Sequence, residues 1–332
     1  MATVRDVARV AGTSVSAAAD VLNGTGKHNI RVGQATRDRI LSAARQLEYR
    51  PNAIARALSS RRTNIIGFYS GYHFIDPRNA FLAEIVGGLQ EGCAEHRKDL
   101  LLHSVFRGDS VEDIYSELVD GRIDGLVMTA PPEDPLVERL TASHLPAVVV
   151  ADAVPTLSCV VVDDVMAAHL TFDYLLQRGH TRFLYLGIDR RLFSAERRRA
   201  AYLGVASKRG LEITEWRSEE RPTDENFLDA WLGMPMRQRP TAILCWSDLS
   251  AYRLLTQCRQ RSLRVPDDLA IVGFDGDPNP LASWWRLTTV RAPWAEVART
   301  AMNQLVALVE GANGEAPRET VLPVELVAGD SA

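Results

Sequence analysis

Apolar positions in the first 47 residues recur with the helical period, and beyond residue 64 they gather into strand-like runs. Thr3 with Asp6 three positions on is close to a capping box, and Val7, Ala8, Val10 and Ala11 then fit one helical face. Gly12 breaks the pattern, Ser14 offers a second N-cap, and residues 15–22 form another short helix. A third helix is expected at about 36–47, with Ile40, Ala43, Ala44 and Leu47 at core spacing. Two short helices about a tight glycine turn predict a helix-turn-helix, the motif whose second helix enters the major groove of DNA. A generic three-helix bundle fits the same pattern.

In the remainder, strand-like segments are expected at 65–69, 100–105, 125–128, 147–150, 160–162, 183–186, 242–245 and 269–272. Between them lie helical patterns at about 80–95, 111–120, 165–178, 196–209, 249–261 and 294–309. Repeated strand–helix units of this length predict parallel sheets covered by helices. Two such layers fit the length, with a ligand cleft at the carboxyl ends of the strands.

Composition changes this picture in one respect. Of 332 residues, 46% are hydrophobic and 24% charged, ordinary for a globular chain, and no apolar run is long enough to span a membrane. The net charge of −4, however, conceals a split. Residues 1–62 hold 11 Lys and Arg against 4 Asp and Glu, a balance of +7, which leaves −11 for the rest. A small basic head on an acidic body points to a polyanion for the head and a different partner for the body. The N-terminus, MATVRDVARVAG, carries charges where a signal peptide needs an apolar core. The four cysteines show no CxxC pair and no metal spacing, so they read as buried thiols of a reducing cytoplasm.

The runs VRDVARVAGTSVSAAADVLNG, ATRDRILSAARQLEYRPNAIARAL and TNIIGF resemble the head and hinge of the LacI/GalR family of transcriptional regulators. The resemblance covers nearly the whole chain. It implies an all-α helix-turn-helix DNA-binding head at 1–50, a hinge at 51–62, and an effector-binding and dimerisation body at 63–332. That body would be α/β, with two parallel-sheet subdomains of the periplasmic-binding-protein-like type I, crossed three times by the chain. For residues 52–60 it implies a hinge helix that orders on operator DNA and pairs with its dimer mate in the minor groove. Asn52 after Pro51 is a reasonable N-cap, and the alanines that follow, Ala55 among them, have good helical propensity. Leu58 takes the place of the family's leucine wedge, whose unstacking cost is returned in contacts with the bent duplex.

The head departs from its relatives in the reading helix. By resemblance Thr3, Ser14, Val15, Ser16, Ala17, Asp20 and Asn23 face DNA, yet hydroxyls that usually bond phosphate are replaced by Ala17 and Ala19. Asp20 replaces an arginine that often reads guanine. Two readings of Asp20 stand side by side: it selects cytosine through the N4 amino group, or it pairs with Lys27 or Arg31 of the loop at 24–33. In the second, Arg31 supplies phosphate contacts that the helix has lost.

In the body, Asp76-Pro77-Arg78-Asn79-Ala80-Phe81 resembles the family's D-x-x-N-P-F-F motif and brings Asp76, Asn79 and Phe81 to the effector site. Ile123-Asp124-Gly125-Leu126, Val272-Gly273-Phe274-Asp275-Gly276 and Leu287-Thr288-Thr289-Val290 also fit. Arg198 fits the family's R-x-x-G-F/Y, with Ala201 in place of glycine, and its fork suits a vicinal diol or carboxylate. Ser247 and Asp248 replace the usual Asn-Asp, and Asp275 follows a strand as an acceptor for sugar hydroxyls. Asp152 and Asp163 are weaker candidates that caps or turns explain equally well. Trp284 or Trp285, among the tryptophans of the C-terminal third, offers a stacking surface for a sugar ring.

No G-x-G-x-x-G after a strand, no P-loop, no G-x-S-x-G and no H-E-x-x-H is present, and the seven histidines are scattered, so neither an enzyme nor a cofactor site is expected. A solute-binding protein would share the body but has no use for a basic head. A DNA-binding regulator that ignores small molecules remains as an alternative, given Ala201 and Ser247. The expectation is therefore a cytoplasmic homodimeric repressor, with double-stranded operator DNA and a carbohydrate-like effector as partners.

Overall fold

The computed structural model describes residues 2–23, 32–71, 79–103, 106–130, 134–188, 193–218, 225–276, 286–311 and 319–332. The chain divides into two compact units: Met1–Asn64 with Gly121–Asp124, and Ile65–Asp120 with Gly125–Ala332.

The smaller unit holds α1 (Val4–Ala11), α2 (Val15–Asn23), α3 (Gln34–Gln46) and α4 (Ala53–Ser60). Thr3 and Asp6 form the full capping box, and the Thr3 hydrogen bonds, followed by Arg9, hold the Asp6 carboxyl below its ordinary range. Gly12 ends α1 at φ 61, the left-handed region that glycine enters without a Cβ penalty, and its N–H bonds the carbonyls of Ala8 and Arg9. Val7, Ala8, Ala11, Ala18, Val21, Ile40, Ala43 and Ala44 form the core. Val10 does not join them: it is 44% exposed, because the inward face of α1 follows 7, 8 and 11. Asn52 caps α4 by accepting from the N–H groups of Ile54 (2.9 Å) and Ala55 (3.3 Å).

The larger unit contains two six-stranded sheets. The first comprises β1 (Ile65–Ser70), β2 (Asp99–His103), β3 (Gly125–Thr129), β4 (Ala147–Val150), β5 (Ser158–Val162) and β11 (Glu319–Leu322), in the order β11-β5-β4-β3-β1-β2 and parallel throughout. The second comprises β6 (Arg182–Ile188), β7 (Glu212–Ser218), β8 (Ala242–Cys245), β9 (Ala270–Asp275), β10 (Thr288–Arg291) and β12 (Glu325–Val327). Its order is β12-β10-β9-β8-β6-β7, with only β12 antiparallel to its neighbour. Since β1–β5 and β11 lie in one sheet and β6–β10 and β12 in the other, the chain passes between them three times, as the resemblance implies.

Helices α5 (Ala80–Glu95), α6 (Val111–Leu118), α7 (Pro135–Thr141) and α12 (Trp294–Glu310) accompany the first sheet in its lobe, and α8 (Asp164–Gln177), α9 (Phe193–Lys208), α10 (Glu225–Gly233) and α11 (Asp248–Gln260) the second. Helices α5 and α12 pack so closely that a Cβ on Gly88 would lie 2.1 Å from the Ala295 carbonyl oxygen. All four cysteines are buried thiols. Burial pushes Cys93 up to about 11 and Cys258 to about 12, and holds Cys245 well above its usual range. Among the described residues no helix is long and apolar enough to cross a membrane, and no cluster could hold a metal.

Candidate nucleic-acid interface and small-molecule site

In the head, the side chains expected to face DNA are placed differently from one another. Thr3 and Ser14 are exposed but serve as caps: the Thr3 hydroxyl bonds Asp6 Oδ2 (2.8 Å), and Ser14 Oγ accepts from Ala17 N–H (3.1 Å). Val15 (45% exposed) and Ser16 stand outward on α2. Ala17 is buried, on the inward face of α2. Asp20 is half-buried, and Asn23 is the last residue of α2. Arg31, with the rest of its loop, lies outside the described residues.

Helix α4 shows a different arrangement. Ile54 and Leu58, one turn apart, are 80% and 85% exposed, and Ala55 is exposed beside them. An eight-residue helix is marginal alone in water, and covering two such aliphatic side chains is worth about 1.5–3 kcal/mol each. The stripe therefore calls for a surface to cover it.

In the body, candidate residues sit at the carboxyl ends of parallel strands, where open α/β sheets bind ligands. Arg198, on α9, is only 2% exposed. Its Nε donates to Asp164 Oδ1 (3.1 Å), its Nη1 donates to the Trp246 carbonyl (2.6 Å), and its guanidinium lies 3.2 Å from the Phe274 ring centroid. Such a stacked, paired cation is costly to strip of its partner. Asp152, fully buried after β4, accepts from Ser194 N–H on α9 (3.0 Å), so it joins the two lobes. Arg197 bridges them as well, donating to the Val162 carbonyl (3.0 Å) and Glu319 (3.1 Å) while pairing with Asp164 (3.3 Å).

Asp275 ends β9 at φ 126, a backbone region that side chains rarely adopt and that concentrates at functional sites. Its Oδ1 accepts from Trp294 Nε1 (3.3 Å), and Trp294 meets Phe81 edge-on at 4.8 Å. Phe81 is thus tied to the core of the first lobe, and Asn79 caps α5. Ser247 and Asp248 also have structural duties. Ser247 caps α11; Asp248, fully buried, accepts from Thr289 Oγ1 (2.6 Å) and Gly276 N–H (3.0 Å). Asp163 is the N-cap of α8, accepting from Met166 N–H (2.8 Å). Asp76, Trp284 and Trp285 lie outside the described residues.

Two residues here went unnoticed in the sequence. Asp164 follows Asp163, and a doubled aspartate at a helix start signals one cap and one inward carboxylate only once helix and strand are placed. Tyr185, on β6, is 2% exposed, and its hydroxyl has no hydrogen-bond partner among the described residues. Burial pushes that hydroxyl far above its usual range, against the opposing pull of the nearby Arg198.

Residues 3–52 match the model for bacterial regulatory proteins of the lacI family, and residues 172–332 match that for a periplasmic binding protein-like domain. The HTH-type transcriptional repressor PurR of Vibrio parahaemolyticus is 30% identical over 322 residues, covering 93% of this chain and 92% of that protein. A lac repressor dimer bound to operator and the anti-inducer ONPF superposes with a TM-score of 0.80 at 22% identity, over 99% of this chain and 98% of that one. A complex of the transcriptional regulator CelR with cellobiose does so with a TM-score of 0.66 at 22% identity, over the full length of both.

Proposed function

Since the chain belongs to the LacI family of bacterial transcriptional regulators, we propose that it is a homodimeric operator-binding repressor, switched by a small polyhydroxylated effector held between the lobes of its body. As a member of that family it is a DNA-binding regulator that responds to a small molecule. The particular division of labour is our own reading: residues 1–50 read the major groove, 51–62 form the hinge, and 63–332 bind effector and dimerise in the cytoplasm. Its role is regulatory and not catalytic.

The observation that carries the reading is the exposed Ile54–Leu58 stripe on a capped helix directly after a basic head. Two such helices from a dimer would cover each other's apolar faces and place Leu58 between base pairs. On α2, the outward Val15 and Ser16 are suited to base edges, and the capping groups Thr3 and Ser14 to phosphates. For the effector, the Arg198 guanidinium, through the edge not engaged by Asp164 and the Trp246 carbonyl, and the Asp152 and Asp275 carboxylates supply a donor and two acceptors around the strand ends, as hydroxyl recognition requires. The cellobiose bound by CelR, a structural neighbour, supports a carbohydrate-like ligand. Effector leverage equals its differential affinity for two lobe arrangements, and the bonds of Asp152 and Arg197 across the lobes belong to one of these.

The test is selection from a randomised duplex pool at roughly 150 mM salt. A near-palindrome with a flexible central step is expected, as two-fold readout with a wedge requires. Leu58→Ala should then lose most of the affinity for the selected duplex and keep its affinity for random duplex. Equal affinity of Leu58→Ala and wild type for the selected duplex removes the wedge.

A further inference from the structure

We propose that Asp124 is the positioning residue that fixes the exit of α4, so that Ile54 and Leu58 are presented to DNA in one set place. This rests on the reading of α4 as the DNA-binding hinge and adds what holds its far end. The observation is a three-bond clasp. Asp124 Oδ1 accepts from the Thr63 N–H (2.6 Å) and the Thr63 hydroxyl (2.8 Å), and Oδ2 accepts from the Asn64 N–H (2.8 Å). Two successive backbone N–H groups, some sixty positions away in sequence, thus share one carboxylate.

Only four residues, 61–64, separate α4 from β1, and each step of that path is specified. Arg61 turns in the left-handed region at φ 57, and Asn64 does so again at φ 59. The Ser60 hydroxyl lies 2.9 Å from the Arg56 carbonyl and accepts from the Arg62 N–H at 3.2 Å. The Asp124 clasp completes the path, holding its last two residues, Thr63 and Asn64. Immediately after the clasp both segments enter paired strands, with Ile66 registered on Gly125.

The chemistry calls for a carboxylate. It is acceptor-only and offers two oxygens, so it takes both N–H groups and the hydroxyl at once. Asparagine keeps one oxygen and turns an amino group toward a second donor. Tertiary grouping points the same way: 121–124 is the one segment outside residues 1–64 that clusters with the head unit, although β3 begins at the next residue.

The experiment uses the full-length dimer as wild type, Asp124→Ala, Asp124→Asn, Thr63→Val and Leu58→Ala. Affinities are measured for the duplex selected by wild type and for a random-sequence duplex of equal length. Trypsin cleavage after Arg61 and Arg62 is timed on the DNA-free protein. Asp124→Ala should lose about tenfold or more on the selected duplex, the scale expected for hydrogen bonds to a charged acceptor, and less than about twofold on the random one. Its cleavage should accelerate severalfold, with Asp124→Asn and Thr63→Val in between. Should Asp124→Ala fail to fold, the graded order of the other two carries the test. Unchanged cleavage, or equal losses on both duplexes, would overturn the clasp. Failure of the hinge reading looks different: Leu58→Ala keeps wild-type affinity for the selected duplex while Asp124→Ala still accelerates cleavage.

Discussion

Tyr185 and Arg198 lie near one another and meet burial in opposite ways. Arg198 is surrounded by the Asp164 carboxylate, the Trp246 carbonyl and the Phe274 ring, whereas the Tyr185 hydroxyl has no bond to another described residue. An unsatisfied buried hydroxyl costs about 1–3 kcal/mol, so Tyr185→Phe should leave the urea unfolding midpoint unchanged or raise stability by up to about 2 kcal/mol. A loss of stability in that measurement would mean that the hydroxyl is bonded in solution, for instance to an ordered water. At this scale the sequence was partly legible. Arg198 could be singled out because its neighbours follow a known spacing, but its burial and pairing emerge only from the fold. The roles of Asp248 and Ser247 could not, because whether a carboxylate or hydroxyl faces a ligand or closes a turn depends on Thr289, Gly276 and Ser250, which the fold alone brings near. The burial of Ala17 has a related cause: a helix of nine residues must bury one face, and the alanine lies on it.

Long amphipathic elements were read almost to the residue: α5 and the start of α12 stand where the apolar spacing puts them. Elements that the pattern did not disclose are short or lie at sheet edges. Strand β7, EITEWRS, pairs only with β6 and carries polar residues throughout, while β11 and β12 have four and three residues and no apolar run to mark them. Helix α7 has seven residues, too few for a period to show. Packing between elements was not legible either. The approach of α5 to α12 depends on the missing side chain of Gly88, which a sequence shows only as a helix-weakening residue. Gly88→Val should force the helices apart and destabilise the body by at least about 1–3 kcal/mol, the range for overpacking, seen as a lowered unfolding midpoint. Wild-type stability in that variant would mean that the helices slide past one another at little cost.

For the molecule as a whole, the charge split is the feature that a single pI conceals: +7 in residues 1–62 against −11 in the rest. Binding to random duplex should therefore be steeply salt-dependent, falling by about 10³-fold or more between 50 and 200 mM salt if the dimer makes six to ten phosphate contacts. Fluorescence anisotropy at several salt concentrations checks this, and a flat response would take the basic head out of the interface. The double-sheet architecture with three chain passages was legible once the family motifs were recognised, since alternation of strands and helices alone allows several arrangements of two layers.

The buried thiols have a practical consequence for all of these experiments. Cys93, Cys159, Cys245 and Cys258 are each at most 3% exposed, and burial keeps their sulfurs protonated and sluggish toward electrophiles. The protein is thus already a quiet background for site-specific labelling. A cysteine introduced at exposed Ala55 would be the one fast-reacting thiol per protomer, and a spin label or fluorophore placed there would report the spacing of the two hinges directly, with no native cysteine removed.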